Sequence, residues 1–423
     1  MKKQSSYRWV VFGVVLFSYF LIVSQRTAPG LISEQLMKEF HVSAAVIGLL
    51  TSIQFLAYSS LQIPIGILSD RFGPNYFLIF GTLLNGVGTL VYSIAPNEGF
   101  LLFARLLVGI GDAAIWVNLV LILSQWFKAN EFVQLLGFAG MSGSLGFLMA
   151  TVPFSASIDL IGWRAPFLII GCLLCVFGIL LYIVLIKKPN QMNISPINVN
   201  RSNNPSTKKR DKTIVILRRL FSSRQAWATF LCHFGVVGTY VGFIGSWAVP
   251  FGMNMYGMTR SGASQLIMIG LIGAIIGAPL TGWITNRLNM IKRPYVVVHI
   301  FTICGWITFF VCGGKPPYFL VIILFLIIGY GNGASALTFA VVRQSFPIKE
   351  VGVVSGFANT GGFLSAVLLP SIFGKVLDHF HSGPIGYHYG FIIPVVFSLI
   401  GLVGGMMIKE QQRKEERAKE VTA

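Results

Sequence analysis

The sequence predicts an all-α membrane protein: twelve transmembrane helices in two pseudo-symmetric six-helix bundles. Three observations predict it. Of 423 residues, 54% are hydrophobic and only 11% charged, with a mean hydropathy of +0.74. A soluble domain carries about 25% charged residues, so a water-soluble enzyme of this size is excluded. Apolar runs long enough to cross a bilayer follow one another along the whole chain. Short motifs of the first half also return in the second at nearly constant spacing.

The apolar runs fall near 9–31, 46–68, 75–95, 99–124, 131–156 and 165–186, then near 225–255, 262–285, 293–312, 317–342, 350–376 and 386–408. Each must be helical, because lipid offers no partner to backbone N–H and C=O groups. The first run, Trp9 to Val23, follows Lys2, Lys3 and Arg8 and precedes no small-residue cleavage site, so it reads as an anchor. The expected organisation is a first bundle over 1–187, a flexible basic linker over 188–224, a second bundle over 225–409 and a charged tail over 410–423.

The net charge of +18 comes from 32 Lys+Arg against 14 Asp+Glu. These charges lie between apolar runs and not on one packable face, which argues against nucleic acid as partner. Segments assigned to the cytoplasm hold 25 basic residues. Those assigned outside hold five: Lys38, Arg164, Arg260, Lys315 and Lys375. By the positive-inside rule, both termini of this multi-pass cell-membrane protein are cytoplasmic. Five cysteines in apolar segments, Cys172 and Cys175 among them, give no disulfide framework.

The halves repeat. Gly66-Ile-Leu-Ser-Asp70-Arg71-Phe-Gly73 is echoed by Gly282-Trp-Ile-Thr-Asn286-Arg287. Gly109-Ile-Gly111-Asp112 is echoed by Gly329-Tyr-Gly331-Asn332, and Gly137-Phe-Ala by Gly356-Phe-Ala. The offsets of 216, 220 and 219 imply one six-helix unit used twice.

These motifs carry a resemblance. The Gly66–Gly73 loop and Arg105-Leu-Leu-Val-Gly109-Ile-Gly111 resemble two motifs of the major facilitator superfamily. Arg8-Trp9 leading to Arg26, Tyr58-Ser-Ser-Leu-Gln62-Ile-Pro, Gly109-Ile-Gly-Asp112 and Gly162-Trp-Arg-Ala-Pro-Phe167 are similar to its anion:cation symporter branch, which carries organic anions and sugar acids. The resemblance implies alternating access, with the Asp70–Arg71 loop, Gly66 and Gly73 latching the bundles. There are departures. Gln25 stands where the branch usually has an acid, and Asp112 where it usually has Glu. Pro74-Asn75 follows the loop where the superfamily usually has a basic residue.

Single residues then suggest chemistry. Arg26 ends a run of about 15 apolar residues, and a charge there costs about 2.5–3.5 kcal/mol on insertion scales. It either holds an anion with its two-pronged guanidinium or snorkels to the interface. Asp112 is the one acid deep in any span. Seven residues from Arg105, it shares that residue's helix face. It either carries a proton or pairs with Arg105 to fix packing, and Arg105 itself reads as structural. Tyr58 and Gln62, four apart, and Asn359 would orient a ligand or bond between helices. His233, a lone histidine, reads as packed and not as a proton shuttle.

The Gly109-x-Gly-x-x-Ala pattern lies in an apolar span and not at a strand–turn–helix, so no dinucleotide site is expected. No phosphate-binding GxxxxGK[ST] or HExxH pattern occurs. The expectation is a non-enzyme without cofactor or metal, acting as a monomer. It would move a small organic anion inward by proton symport. A proton-antiport exporter of drugs or siderophores and a non-transporting sensor are the alternatives.

Overall fold

A computed structural model describes residues 2–26, 32–42, 44–150, 152–194, 196, 212–380 and 383–409. Most of the expected linker, the 410–423 tail and Thr27–Gly30 lie outside them. The described chain is helical throughout, and eleven helical stretches among those residues are long and apolar enough to cross a membrane. It forms two compact units. The first takes in Met1–Lys128, Ser142–Arg210 and Ile348–Gly356; the second takes in Ala129–Met141, Asp211–Pro347 and Phe357–Ala423.

In chain order the first stretch holds α1 (Lys2–Arg26), the short α2 (Ser33–Phe40), α3 (Ala44–Phe72) and α4 (Pro74–Ser93). It continues with α5 (Glu98–Ala113), α6 (Ile115–Trp126), α7 (Ala129–Met149), α8 (Val152–Ile161) and α9 (Arg164–Tyr182). A π-helical turn, Ile183–Lys187, leads to α10 (Lys188–Met192). The predicted span 99–124 is therefore two helices, parted at Ala114. α3 is 29 residues long and carries Pro64 in its interior. Within the first unit α4 packs on α5 and α9, and α3 on α5.

The later helices are α11 (Thr213–Ser222), α12 (Arg224–His233), α13 (Thr239–Ser246), α14 (Ala248–Tyr256), α15 (Arg260–Leu288) and α16 (Lys292–Val311). After them come α17 (Tyr318–Ala334), α18 (Leu337–Ser345), α19 (Val351–His379), α20 (Pro384–Gly390) and α21 (Ile392–Met407). α15 matches α3 in length and carries Pro279. The span 317–342 parts between α17 and α18, as 99–124 parts between α5 and α6. α11 corrects one expectation: residues 213–222, read as flexible linker, are helical. Their apolar residues Ile214, Leu217, Leu220 and Phe221 recur at helical spacing.

The cores differ. One end of the first unit packs Tyr92, Phe154, Trp163 and Phe167 with aliphatic residues of α2 and α5. The second unit is centred on a ring cluster of Phe243, Phe251, Trp306, Phe309, Phe373 and Phe391. Phe309 and Phe391 stack at 4.7 Å. Outward-facing Leu56, Phe80 and Val176 remain exposed, as side chains meeting lipid do.

Candidate functional site

The first unit holds a buried polar network drawn from four helices. α1 ends in Gln25 and Arg26, α3 supplies Gln54 and Tyr58, α4 supplies Asn85, and α5 supplies Arg105 and Asp112. Except for Arg26, which is 8% exposed, these side chains are almost wholly buried.

Asp112 pairs with Arg26 and not with Arg105. Arg26 Nε donates to Asp112 Oδ2 at 3.2 Å, and Gln54 Nε2 donates to the same oxygen at 2.8 Å. Arg105 reaches Asp112 only through Gln54, whose Oε1 accepts a short bond from Arg105 Nη2. Arg105 Nη2 also donates to the Arg26 carbonyl at 3.0 Å. Arg105 thus reaches from α5 to the last described residue of α1. The shared helix face of Arg105 and Asp112 thus produces a relay. Gln25 Nε2 donates to Asn85 Oδ1 at 3.2 Å, and Gln25 Oε1 accepts from Arg105 Nη1 at 3.5 Å.

Rings cover the cations. The Arg26 guanidinium lies 5.4 Å from the Tyr58 ring centre, and that of Arg105 lies 5.5 Å from Tyr92. Two guanidiniums face one carboxylate, so the network is positive by one charge with Asp112 ionised. Asp112 Oδ1, also buried, finds no hydrogen-bond partner among the described residues.

The Major Facilitator Superfamily profile matches residues 15–370. The chain belongs to this superfamily. It is a membrane transporter and not an enzyme, and its relatives include organic-anion and sugar-acid transporters. The protein named "Probable galactarate/D-glucarate transporter GudP" of Bacillus subtilis is 23% identical, over 98% of this chain and 97% of its own. The gentisate transporter of Corynebacterium glutamicum is 26% identical over 86% of this chain and 79% of its own. A crystal structure of FucP, a major facilitator superfamily transporter in the outward conformation, matches with a TM-score of 0.77 at 15% identity. It covers 96% of this chain and 100% of that one.

In this superfamily member the loop after α3 makes a second constellation within the first unit. Asp70 Oδ1 accepts from Gly352 N at 2.8 Å and Oδ2 from Val353 N at 2.7 Å. Both amides belong to the first turn of α19, where N–H groups lack intrahelical partners and a carboxylate is stabilised by the helix dipole. Gly66 permits the approach, because a Cβ there would lie 2.5 Å from the Gly352 carbonyl oxygen. Gly73, at φ 91°, makes the turn into α4. Arg71 is exposed, with its guanidinium 5.9 Å from the Phe72 ring centre.

The remaining expected residues separate. Tyr58 meets Arg26, whereas Gln62 turns back to its own helix, donating to the Tyr58 carbonyl at 3.4 Å. Asn359 lies in the second unit and bonds the His233 side chain. His233 Nδ1 lies 3.4 Å from Thr338 Oγ1, which is 2.6 Å from Tyr295 OH. The packed reading of His233 matches these neighbours. Gln54 and Asn85 were not singled out in the sequence. Gln54 extends the Tyr58–Gln62 spacing by one turn, a signal that was there to use; Asn85 had none beyond being polar in a span.

Proposed function

We propose that this transporter moves a small organic anion together with a proton. In this reading Arg26 anchors the anion and Asp112 carries the proton. The observation that carries it is the Arg26–Asp112 pair inside a network with one surplus positive charge. Protonating Asp112 at Oδ1 neutralises the partner of Arg26 and frees the guanidinium for a substrate carboxylate. Substrate and proton are then favoured together, which is symport. Tyr58 would hold the guanidinium in place.

The carried anion belongs to the class named in the relatives, a sugar acid or an aromatic acid. Asp70, Gly66, Arg71 and Gly73 form the cytoplasmic gate, which releases when α19 withdraws its first-turn amides from Asp70. Twelve spans in two related bundles, both termini cytoplasmic, complete the reading. The paired lengths and prolines of α3 and α15 support the repeat.

Proteoliposomes test the function. An acid-outside gradient should drive accumulation of a galactarate-like or gentisate-like acid, and collapsing the gradient should stop it. Accumulation unaffected by that collapse would remove proton symport. Topology has its own test. A cysteine placed at Pro205 should be closed to an impermeant maleimide added outside intact cells, and labelling there would overturn the cytoplasmic linker.

A further inference from the structure

The helix α11 has no part in the site above, yet its composition is selective. At 100° per residue, Ile216, Leu220, Leu217, Phe221 and Ile214 occupy one continuous arc of about 160°. Thr213 falls within that arc, and Arg218, Ser222, Val215 and Arg219 lie on the remainder. From Lys212 to Arg224 there are four basic residues, Lys212, Arg218, Arg219 and Arg224, and no acid.

Only Leu220 of α11 is buried. Ile214 is 69% exposed and Phe221 47%. A ten-residue helix is marginal in water by itself, so this face needs a surface. Its depth is fixed. The Trp227 indole, one turn into α12, donates to the Phe221 carbonyl at 2.8 Å. Ser223 caps α12 by accepting from Ala226 N. Phe221 also packs on Phe357 at 5.4 Å. α11 is thereby held at the mouth of a membrane span, where tryptophan rings favour the interface.

We propose that α11 is an interfacial helix that docks on anionic phospholipid. Its apolar arc enters the boundary between headgroups and acyl chains, and Lys212, Arg218, Arg219 and Arg224 meet the headgroup phosphates. Apolar arc and cationic flank together are the pattern of an in-plane amphipathic helix, and each basic residue near an anionic surface adds attraction. The occupant is a lipid surface and not an acidic protein, because the apolar residues lie at the depth of the span that α12 begins. The inference takes from the proposed topology only that residues 212–224 meet one leaflet. It does not depend on which anion is carried.

Hydrogen exchange on the full chain in nanodiscs tests it. Amides of 213–222 should exchange about tenfold more slowly in discs rich in phosphatidylglycerol than in phosphatidylcholine alone, and the difference should shrink at high salt. In the double variant Lys212→Gln, Arg218→Gln the difference between the discs should fall to about half while the spans keep their protection. Ile214→Ser should exchange faster in both. Equal exchange of the wild-type helix in both lipids would overturn the proposal, as would a lipid difference undiminished by the loss of Lys212 and Arg218. Both leaflets are accessible in a disc and no substrate is present, so a failed transport or topology reading leaves this outcome unaffected.

Discussion

The two units bury polar groups in different ways. The first places Arg26, Arg105 and Asp112 in one network with Gln25, Gln54 and Asn85. The second buries a chain of Asn359, His233, Thr338 and Tyr295, with neither carboxylate nor guanidinium among them, beside an aromatic core. Asp112 and Asn332, which the Gly109 and Gly329 motifs align, make the contrast sharp: the first is a carboxylic acid and the second a neutral amide. Trp247, near the counterpart of Arg26, gives its indole N–H to the Pro370 carbonyl at 3.1 Å and serves packing. The first unit's network is charged and the second unit's chain is neutral.

Breaking the charged half should have the largest effect. Arg26→Ala should abolish substrate binding, since each charge-assisted hydrogen bond contributes about 1.5–3 kcal/mol. Arg26→Lys should keep the charge and still lose most affinity, because the two-pronged geometry goes. Calorimetry on purified protein measures both. Normal binding by well-folded Arg26→Ala protein would leave Arg26 as a structural partner of Asp112.

An intermediate effect is expected where Asp70 caps α19. Asp70→Ala should lower stability by about 0.5–2 kcal/mol, the range for a lost helix cap. Asp70→Asn should cost less, as one acceptor remains. Thermal unfolding in detergent reads the difference, and equal melting of all three proteins would show that the cap contributes nothing.

The smallest effect belongs to the second half. His233→Gln keeps a hydrogen-bonding side chain toward Thr338 and Asn359, so stability should change by no more than about 1 kcal/mol. The pH profile of uptake should stay where it is. A displaced profile would make the second half a participant in coupling and erase the contrast.

Sequence and structure agree where physics is local and diverge where partners are distant. Spans were readable because lipid demands long apolar runs, and Arg26 and Asp112 were conspicuous because a charge inside such a run is costly. Their pairing was not readable. Spacing on α5 pointed Asp112 toward Arg105, but the partner is 86 residues away on α1, and Arg105 donates instead to Gln54 and to the Arg26 carbonyl. The helix break at Ala114 left no mark in hydropathy. α11 was hidden in a basic, polar stretch because ten residues are too few to register as a span. Glycine motifs carried the expected repeat, whereas the different burial of charge in the two units rests on distant partners that no local spacing shows.

The central claim is that one carboxylate, Asp112, couples the proton to an anion held by Arg26. Asp112→Asn, which resembles the protonated form, tests it most directly in proteoliposomes. The account predicts that this variant binds substrate and exchanges it in counterflow but cannot concentrate it with a pH gradient. Accumulation driven by protons in Asp112→Asn would contradict the account and place the proton elsewhere. Loss of binding together with coupling would equally contradict it, leaving Asp112 as a structural partner of Arg26 and Gln54.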